Sequence, residues 1–300
     1  MNWLIIVIIA HLFNAVVFLV DKYLLSRSIP NPLVYSFYVG LLSLLALLLI
    51  PFGFLIPGWP EILIDLATGA ILILALILFY FSLRYNEPSR IVPIIGGFVA
   101  LFTLILSYIF LGERLSGQVI LAIFFLLIGS LLITYRKTTK KRQERIIKRV
   151  CFALGAAFIF AVFYVLTKYI FLHQPFISGF IWPRFGSGLV ALSFLIFPTS
   201  RRMILSTSQR VEKPAKVIFL GNQVLSVTGF VLINYAIFLA SVTLVNSLQG
   251  VQYVFVLIFS LIVAYKYPKI LFEEVNKSII LQKIIAILLI GIGLFILSIQ

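Results

Sequence analysis

Long apolar runs alternate with short polar breaks along the whole chain. Ten runs stand out, at residues 3–20, 33–50, 62–83, 91–111, 118–135, 150–171, 176–197, 217–239, 243–265 and 281–299. Each is about 18–23 residues long, the length a helix needs to cross a bilayer core of roughly 30 Å. Barrel strands would alternate every second residue over about 10 residues, and these runs do not. An unpaired backbone group in hydrocarbon costs several kcal/mol, so the runs are expected to be helices. The breaks carry turn chemistry: Pro30-Asn31-Pro32, Pro57-Gly58-Trp59-Pro60, Asn86-Glu87-Pro88-Ser89 and Pro268. The longer polar stretches, 136–149 and 198–216, are too short to be domains. The pattern predicts one all-α membrane unit.

The two halves repeat. Asp21-Lys22-Tyr23-Leu24-Leu25 closes span one, and Thr167-Lys168-Tyr169-Ile170-Phe171 closes span six. The segment from Ile91 to Gly97 in span four matches that from Leu244 to Gly250 in span nine. Glu113 before span five matches Glu273 or Glu274 before span ten, and Gly129 matches Gly291. An insertion around 267–271 keeps the register. Four weak matches in one order argue for a repeat at 1–135, a basic linker at 136–149 and a second repeat at 150–300. Five spans per half is odd, so the halves are expected to insert upside down relative to each other, with a site at their interface.

Composition fits this picture. Of 300 residues, 62% are hydrophobic and 11% charged, more apolar surface than a soluble domain of this length can hide. The formal charge of +15 does not point to nucleic acid, because the basic residues sit in the short links. Twenty-one of the 24 lysines and arginines fall on the face holding 136–149; Arg114, Lys168 and Arg184 are on the other. The positive-inside rule then puts that loop in the cytoplasm and both termini outside. Anionic lipid adds about 1 kcal/mol per basic residue there. The 136–149 run itself reads as a solvated topology anchor rather than a lipid-bound amphipathic helix. Cys151 is the lone cysteine, which excludes an intrachain disulfide. The first residues lack the basic flank and cleavage site of a signal peptide.

Polar residues inside spans are costly, which makes each a candidate. In span one His11, Asn14 and Asp21 fall within about 80° of one helix face, with Phe18 among them. His11 and Asn14 read equally as cavity lining or as hydrogen-bonded helix packing. Asp21 with Lys22 reads as a solvated ion pair at the span's end. In span nine Asn246, Gln249, Gln252 and Tyr253 occupy an arc of about 120°, which favours a cavity lining. Gly250 beside them reads as a packing glycine. Asn222, Gln223 and Asn234 in span eight are scattered around their helix, the first two near its cytoplasmic end. Arg184 follows Pro183 in span seven, roughly 10 Å in at 1.5 Å per residue. It either snorkels or faces the cavity and pairs with an acid group on the substrate. Lys168 reads as snorkelling, and Trp3 and most tyrosines as an interfacial belt. Tyr80 and Tyr164 read as aromatic core.

No catalytic residues, metal site or cofactor are expected. There is no Walker loop, and His11, His173 and Cys151 do not make a metal site. Paired carboxylates and nucleophile–base sets are lacking, which argues against an enzyme. A cation pathway would want mid-membrane acids, and Asp21, Glu61 and Asp65 read as too near span ends.

The Asp21-Lys22-Tyr23 close of span one and Leu111-Gly112-Glu113-Arg114-Leu115 between spans four and five resemble the drug/metabolite transporter superfamily, specifically its EamA-like branch. The glycine-bearing spans five and ten add to the likeness, which covers essentially the whole chain. It implies ten helices around a central cavity lined by spans one to four and six to nine, with five and ten peripheral. Members of that family move amino acids, other metabolites and drugs. They commonly keep both termini in the cytoplasm, opposite to what the charges argue here.

The expected function is thus a secondary transporter of a small organic metabolite, working by alternating access across the cytoplasmic membrane. The alternative is a carrier of a lipid-linked or amphipathic substrate, encouraged by 29 phenylalanines. The expected partners are a small-molecule substrate and the lipid bilayer, not nucleic acid, with a homodimer left open.

Overall fold

The computed structural model describes residues 2–112, 117–134, 140–266 and 276–299. Among them there is no strand. The chain forms α1 (Asn2–Arg27), α2 (Pro32–Ser43), a 3-10 segment (Leu44–Phe52), α3 (Trp59–Tyr85), α4 (Pro88–Leu111) and α5 (Gly117–Thr134). It continues with α6 (Lys140–His173), α7 (Phe176–Ser193), α8 (Pro198–Arg210), α9 (Lys213–Leu239), α10 (Val242–Ser247), α11 (Gln249–Lys266) and α12 (Lys277–Ser298). Proline stands in the first turn of α2, α3, α4, α8 and α9. Its missing N–H costs nothing there, because a first-turn donor has no partner within the helix. Asn31 adds a side-chain cap to α2, accepting from Leu33 N at 2.9 Å.

Among the described residues, seven helices are long and apolar enough to cross a bilayer, eight if α7 and α8 form one span bent by 97°. This is a multi-pass membrane protein. Helices cover all ten predicted runs, with four revisions. The second run tightens at Leu44 into the 3-10 segment, with no side-chain cap at the junction. The seventh ends at Ser193, and the supposed polar link after it holds α8. The ninth breaks at Leu248, where α10 gives way to α11. The linker predicted as a loop is helical from Lys140, because nothing in its sequence stops α6 from extending back through it. Glu113, Arg114, Glu273 and Glu274, on which part of the repeat argument rested, lie outside the described residues.

The packing follows a pattern of exchange between the halves. α3 packs on α6, and α9 on α1; α4 packs on α6, and α11 on α1; α5 and α12 pack on each other. Two lysines obey the same exchange. Lys22 of α1 donates to the carbonyls of Leu83 and Arg84 at the end of α3, at 3.0 and 2.6 Å. Lys168 of α6 donates to the carbonyls of Ile237 and Ala240 at the end of α9, at 3.0 and 2.8 Å. Helix C-termini leave carbonyls unpaired and carry partial negative charge, so an ammonium is well placed at both. Lys168 is therefore a helix cap rather than a snorkelling residue.

One pair of seams departs from the exchange. α3 and α7 meet backbone to backbone. A Cβ on Gly69 would run into Pro183 O and come within 2.6 Å of Ser187 N, and one on Gly186 would lie 2.6 Å from Leu66 O. Ser187 Oγ donates across the seam to Gly69 O at 2.9 Å. The counterpart, α9 against α2 and the 3-10 segment, forms no such seam.

Two basic residues assigned to the cytoplasmic links are internal. Lys283 of α12 is buried and donates to Glu87 Oε2 at 2.8 Å; Arg90 Nε meets the same oxygen at 3.1 Å. The chain reversal before α4 brings both cations onto the carboxylate that precedes that helix.

Candidate functional site

A cavity of about 650 Å³ lies in the middle of the bundle, walled by α1, α2, the 3-10 segment, α3, α4, α6, α7, α9 and α11. The face of α1 predicted from helical spacing supplies His11, Asn14, Phe18 and Asp21 to it. α11 supplies Gln249, Gln252 and Tyr253. His11 Nδ1 sits 2.9 Å from Gln252 Oε1, so the proton is placed on that nitrogen, and Nε2 is buried without a partner. Tyr253 donates to Gln249 Oε1 at 3.3 Å. Its hydroxyl lies over Gly96 of α4, where a Cβ would collide with it. The missing side chain in α4 is what lets the α11 polar groups reach the cavity. Asn246 does not line it. The break at Leu248 leaves Asn246 on α10, buried, with Oδ1 accepting from Gln249 at 3.3 Å.

Arg184 lines the cavity and is 7% exposed, so the snorkelling reading fails. Its guanidinium carbon lies 4.1 Å from the ring centre of Phe230, 5.5 Å from Phe180 and 5.7 Å from Phe163. Phe180 is one turn earlier on α7; the other rings come from α9 and α6. Cation–π contact is worth about 2 kcal/mol when desolvated, against an insertion cost of about 2.5–3.5 kcal/mol for a mid-span arginine. The rings offset much of the charge cost but satisfy no N–H. No carboxylate among the described residues lies within ion-pair distance of Arg184, and its Nε is buried without a hydrogen bond.

One end of the cavity is closed by polar groups. Asp21 is 1% exposed, and Oδ1 accepts from Tyr35 Oη at 2.5 Å and Asn222 Nδ2 at 2.7 Å. This overturns the solvated ion pair: α1 runs on to Arg27, which draws Asp21 inside while Lys22 turns to the end of α3. Tyr35 and Tyr38 of α2 meet Phe219 of α9 at 5.2 and 6.0 Å between ring centres. The far end is closed by an apolar cluster including Val7, Ile170, Ile233 and Val242.

Sequence reasoning missed several lining residues. Gln223, Tyr80 and Tyr164 face the cavity, and Asn222 holds Asp21. A start of α9 at Lys213, which Pro214 announces, would have set Asn222 and Gln223 deeper in the helix. Asp65, read as too shallow to matter, is buried and accepts both its bonds from Gln174 Nε2, at 3.2 and 3.0 Å. Asn234 bonds its own helix at Phe230 O, at 2.8 Å.

The model of the EamA-like transporter family matches residues 1–135, α1 through α5. The first half of this chain is EamA-like. That family belongs to the drug/metabolite transporter superfamily and comprises membrane transporters of small solutes. The EamA-like half contributes α1 to α4 to the cavity wall, while α5 stays out of it. No curated protein matches the chain in sequence. One solved structure, a crystal structure of a protein, superposes on 99% of this chain and 96% of its own at 15% identity, with a TM-score of 0.61. That likeness concerns the fold.

Proposed function

We propose that this protein is a secondary transporter of a small organic solute bearing an acid group, built as ten spans in two inverted five-helix repeats. The observation that carries the reading is Arg184: a buried guanidinium in the cavity wall, cradled by three phenyl rings, with no carboxylate among the described residues within ion-pair distance. A fork of N–H donors in a low-dielectric pocket suits a carboxylate or phosphate, and the rings exclude water from the contact. His11, Asn14, Gln249, Gln252 and Tyr253 are placed to read the rest of the solute. Asn246 is assigned a supporting role, holding Gln249. The exchanged packing and the paired lysine caps support the inverted repeat, and alternating access of two such halves is its mechanical use. The membrane proposed is the cytoplasmic one, with the termini outside as the charges argue.

The test is counterflow in proteoliposomes across amino acids, organic acids, nucleosides, sugars and quaternary amines. Acidic or zwitterionic solutes should exchange, and analogues lacking the acid should not compete. Equal competition by neutral and cationic analogues would remove Arg184 from the site.

A further inference from the structure

We propose that the flank between the 3-10 segment and α9 is a lateral portal, through which the hydrocarbon tail of an acidic amphiphile leaves the cavity while its acid group rests on Arg184. The inference rests on the acid-site reading above and narrows its substrate class. Both ends of the cavity are closed, by the Asp21–Tyr35–Asn222 cluster at one and by the apolar cluster of α1, α6, α9 and α10 at the other. The flank is different. Leu45 and Leu48 of the 3-10 segment and Leu220, Val224 and Val227 of α9 line the cavity, yet they are exposed on the outside of the bundle. Leu48 is 71% exposed and Val224 70%. The wall is therefore thin there and continuous with the outer surface.

No hydrogen bond or ring contact joins the 3-10 segment to α9 among the described residues. The rings that do bridge α2 to α9, Tyr35 and Tyr38 on Phe219, lie at the closed end. Both sides of the gap fall within helices apolar enough to cross a bilayer, so the opening faces hydrocarbon rather than water. Its surface suits a tail. Thr228 returns its hydroxyl to Val224 O at 2.9 Å, leaving Ser226 as the other hydroxyl on that stretch of α9.

The ends of the path are chemically opposite. Phe230, whose ring carries the Arg184 guanidinium, also lines the cavity and sits on the helix that forms the portal. A carboxylate or phosphate held at Arg184 thus has an apolar exit on α9 immediately beside it. Moving a tail from lipid into an apolar slit changes its solvation little, because lipid is as apolar as the slit. Selection then falls on the acid group, which in the bilayer has no desolvated partner to match Arg184.

The experiment uses the full chain in phosphatidylcholine nanodiscs, with hexadecanoic acid carrying a diazirine at its chain end as the probe. After irradiation, label should concentrate on peptides 44–52 and 220–231. It should fall about tenfold or more in Arg184→Gln, the loss expected for a charge-assisted hydrogen bond. Val227→Trp, which fills the gap from an exposed position, should also remove most of the label. Wild type and Arg184→Gln are also titrated with a panel of short carboxylic and phosphoric acids, whose binding should need Arg184. Label spread over lipid-facing α5 and α12 as strongly as over the flank, and unchanged by Arg184→Gln, overturns the portal. In that case short acids that still require Arg184 leave the acid site standing, whereas short acids indifferent to Arg184 sink both.

Discussion

The α3–α7 seam and the flank between the 3-10 segment and α9 are packed in opposite ways: one brings two backbones into contact, and the other is lined by exposed leucines and valines. The sealed seam is made by small residues. Gly69 and Gly186 bring two backbones together, and Ser187 stitches them with a hydrogen bond. The flank carries Leu45, Leu48, Val224 and Val227, which line the cavity and are exposed. In lipid there is no hydrophobic drive between helices, so close packing decides which ones associate. Among the described residues, a few side-chain volumes thus separate a close-packed seam from a flank where cavity-lining side chains are exposed, and Phe230 on that flank's helix carries the Arg184 guanidinium.

Adding bulk to each seam should give opposite results. Gly69→Val forces a side chain into the α7 backbone, and neither side can yield cheaply. We expect a loss of about 3 kcal/mol or more, read as detergent-solubilised protein that unfolds or fails to purify. If Gly69→Val keeps wild-type thermal stability, the seam is not closed as described. The lysine caps come next. Lys22→Met and Lys168→Met each strand two helix-end carbonyls, at about 1–3 kcal/mol apiece. Thermal denaturation of both should show comparable losses, because the exchange makes them equivalent; a large loss in one and none in the other would break the repeat. Smallest of all, Val224→Leu on the open flank should change stability by less than about 0.5 kcal/mol, the usual range for exposed positions. A cost like that of Gly69→Val would mean the flank is packed after all.

Much of this was legible in the chain itself. The apolar runs announced the helices, and the match of Asp21-Lys22-Tyr23 with Thr167-Lys168-Tyr169 picked out the two lysines that cap α3 and α9. Period alone put His11, Asn14, Gln249 and Gln252 on cavity faces. Three things were hidden. The break at Leu248 removed Asn246 from its predicted arc, because a regular helix had been assumed through it. Asp21 looked solvated because its partners, Tyr35 and Asn222, come from other helices, the second of them 201 positions away. The open flank had no signal either: exposed leucines and valines in a span look the same whether they face lipid or a portal. Arg184 was visible as an expensive residue, but its choice between snorkelling and the cavity depended on rings from α6 and α9 that only the tertiary fold supplies.

The most direct test of the account is equilibrium binding at Arg184. The acid that gives the strongest counterflow is titrated calorimetrically into wild type, Arg184→Lys and Arg184→Gln in nanodiscs. Arg184→Gln should weaken binding about tenfold to a hundredfold, the range for losing a hydrogen bond to a charged group. Arg184→Lys should fall between the two, because an ammonium keeps the charge but not the planar fork or its stacking on Phe230. Equal affinity in all three proteins would contradict the account, leaving the guanidinium as a structural charge held by its rings and the acid group bound elsewhere or not at all.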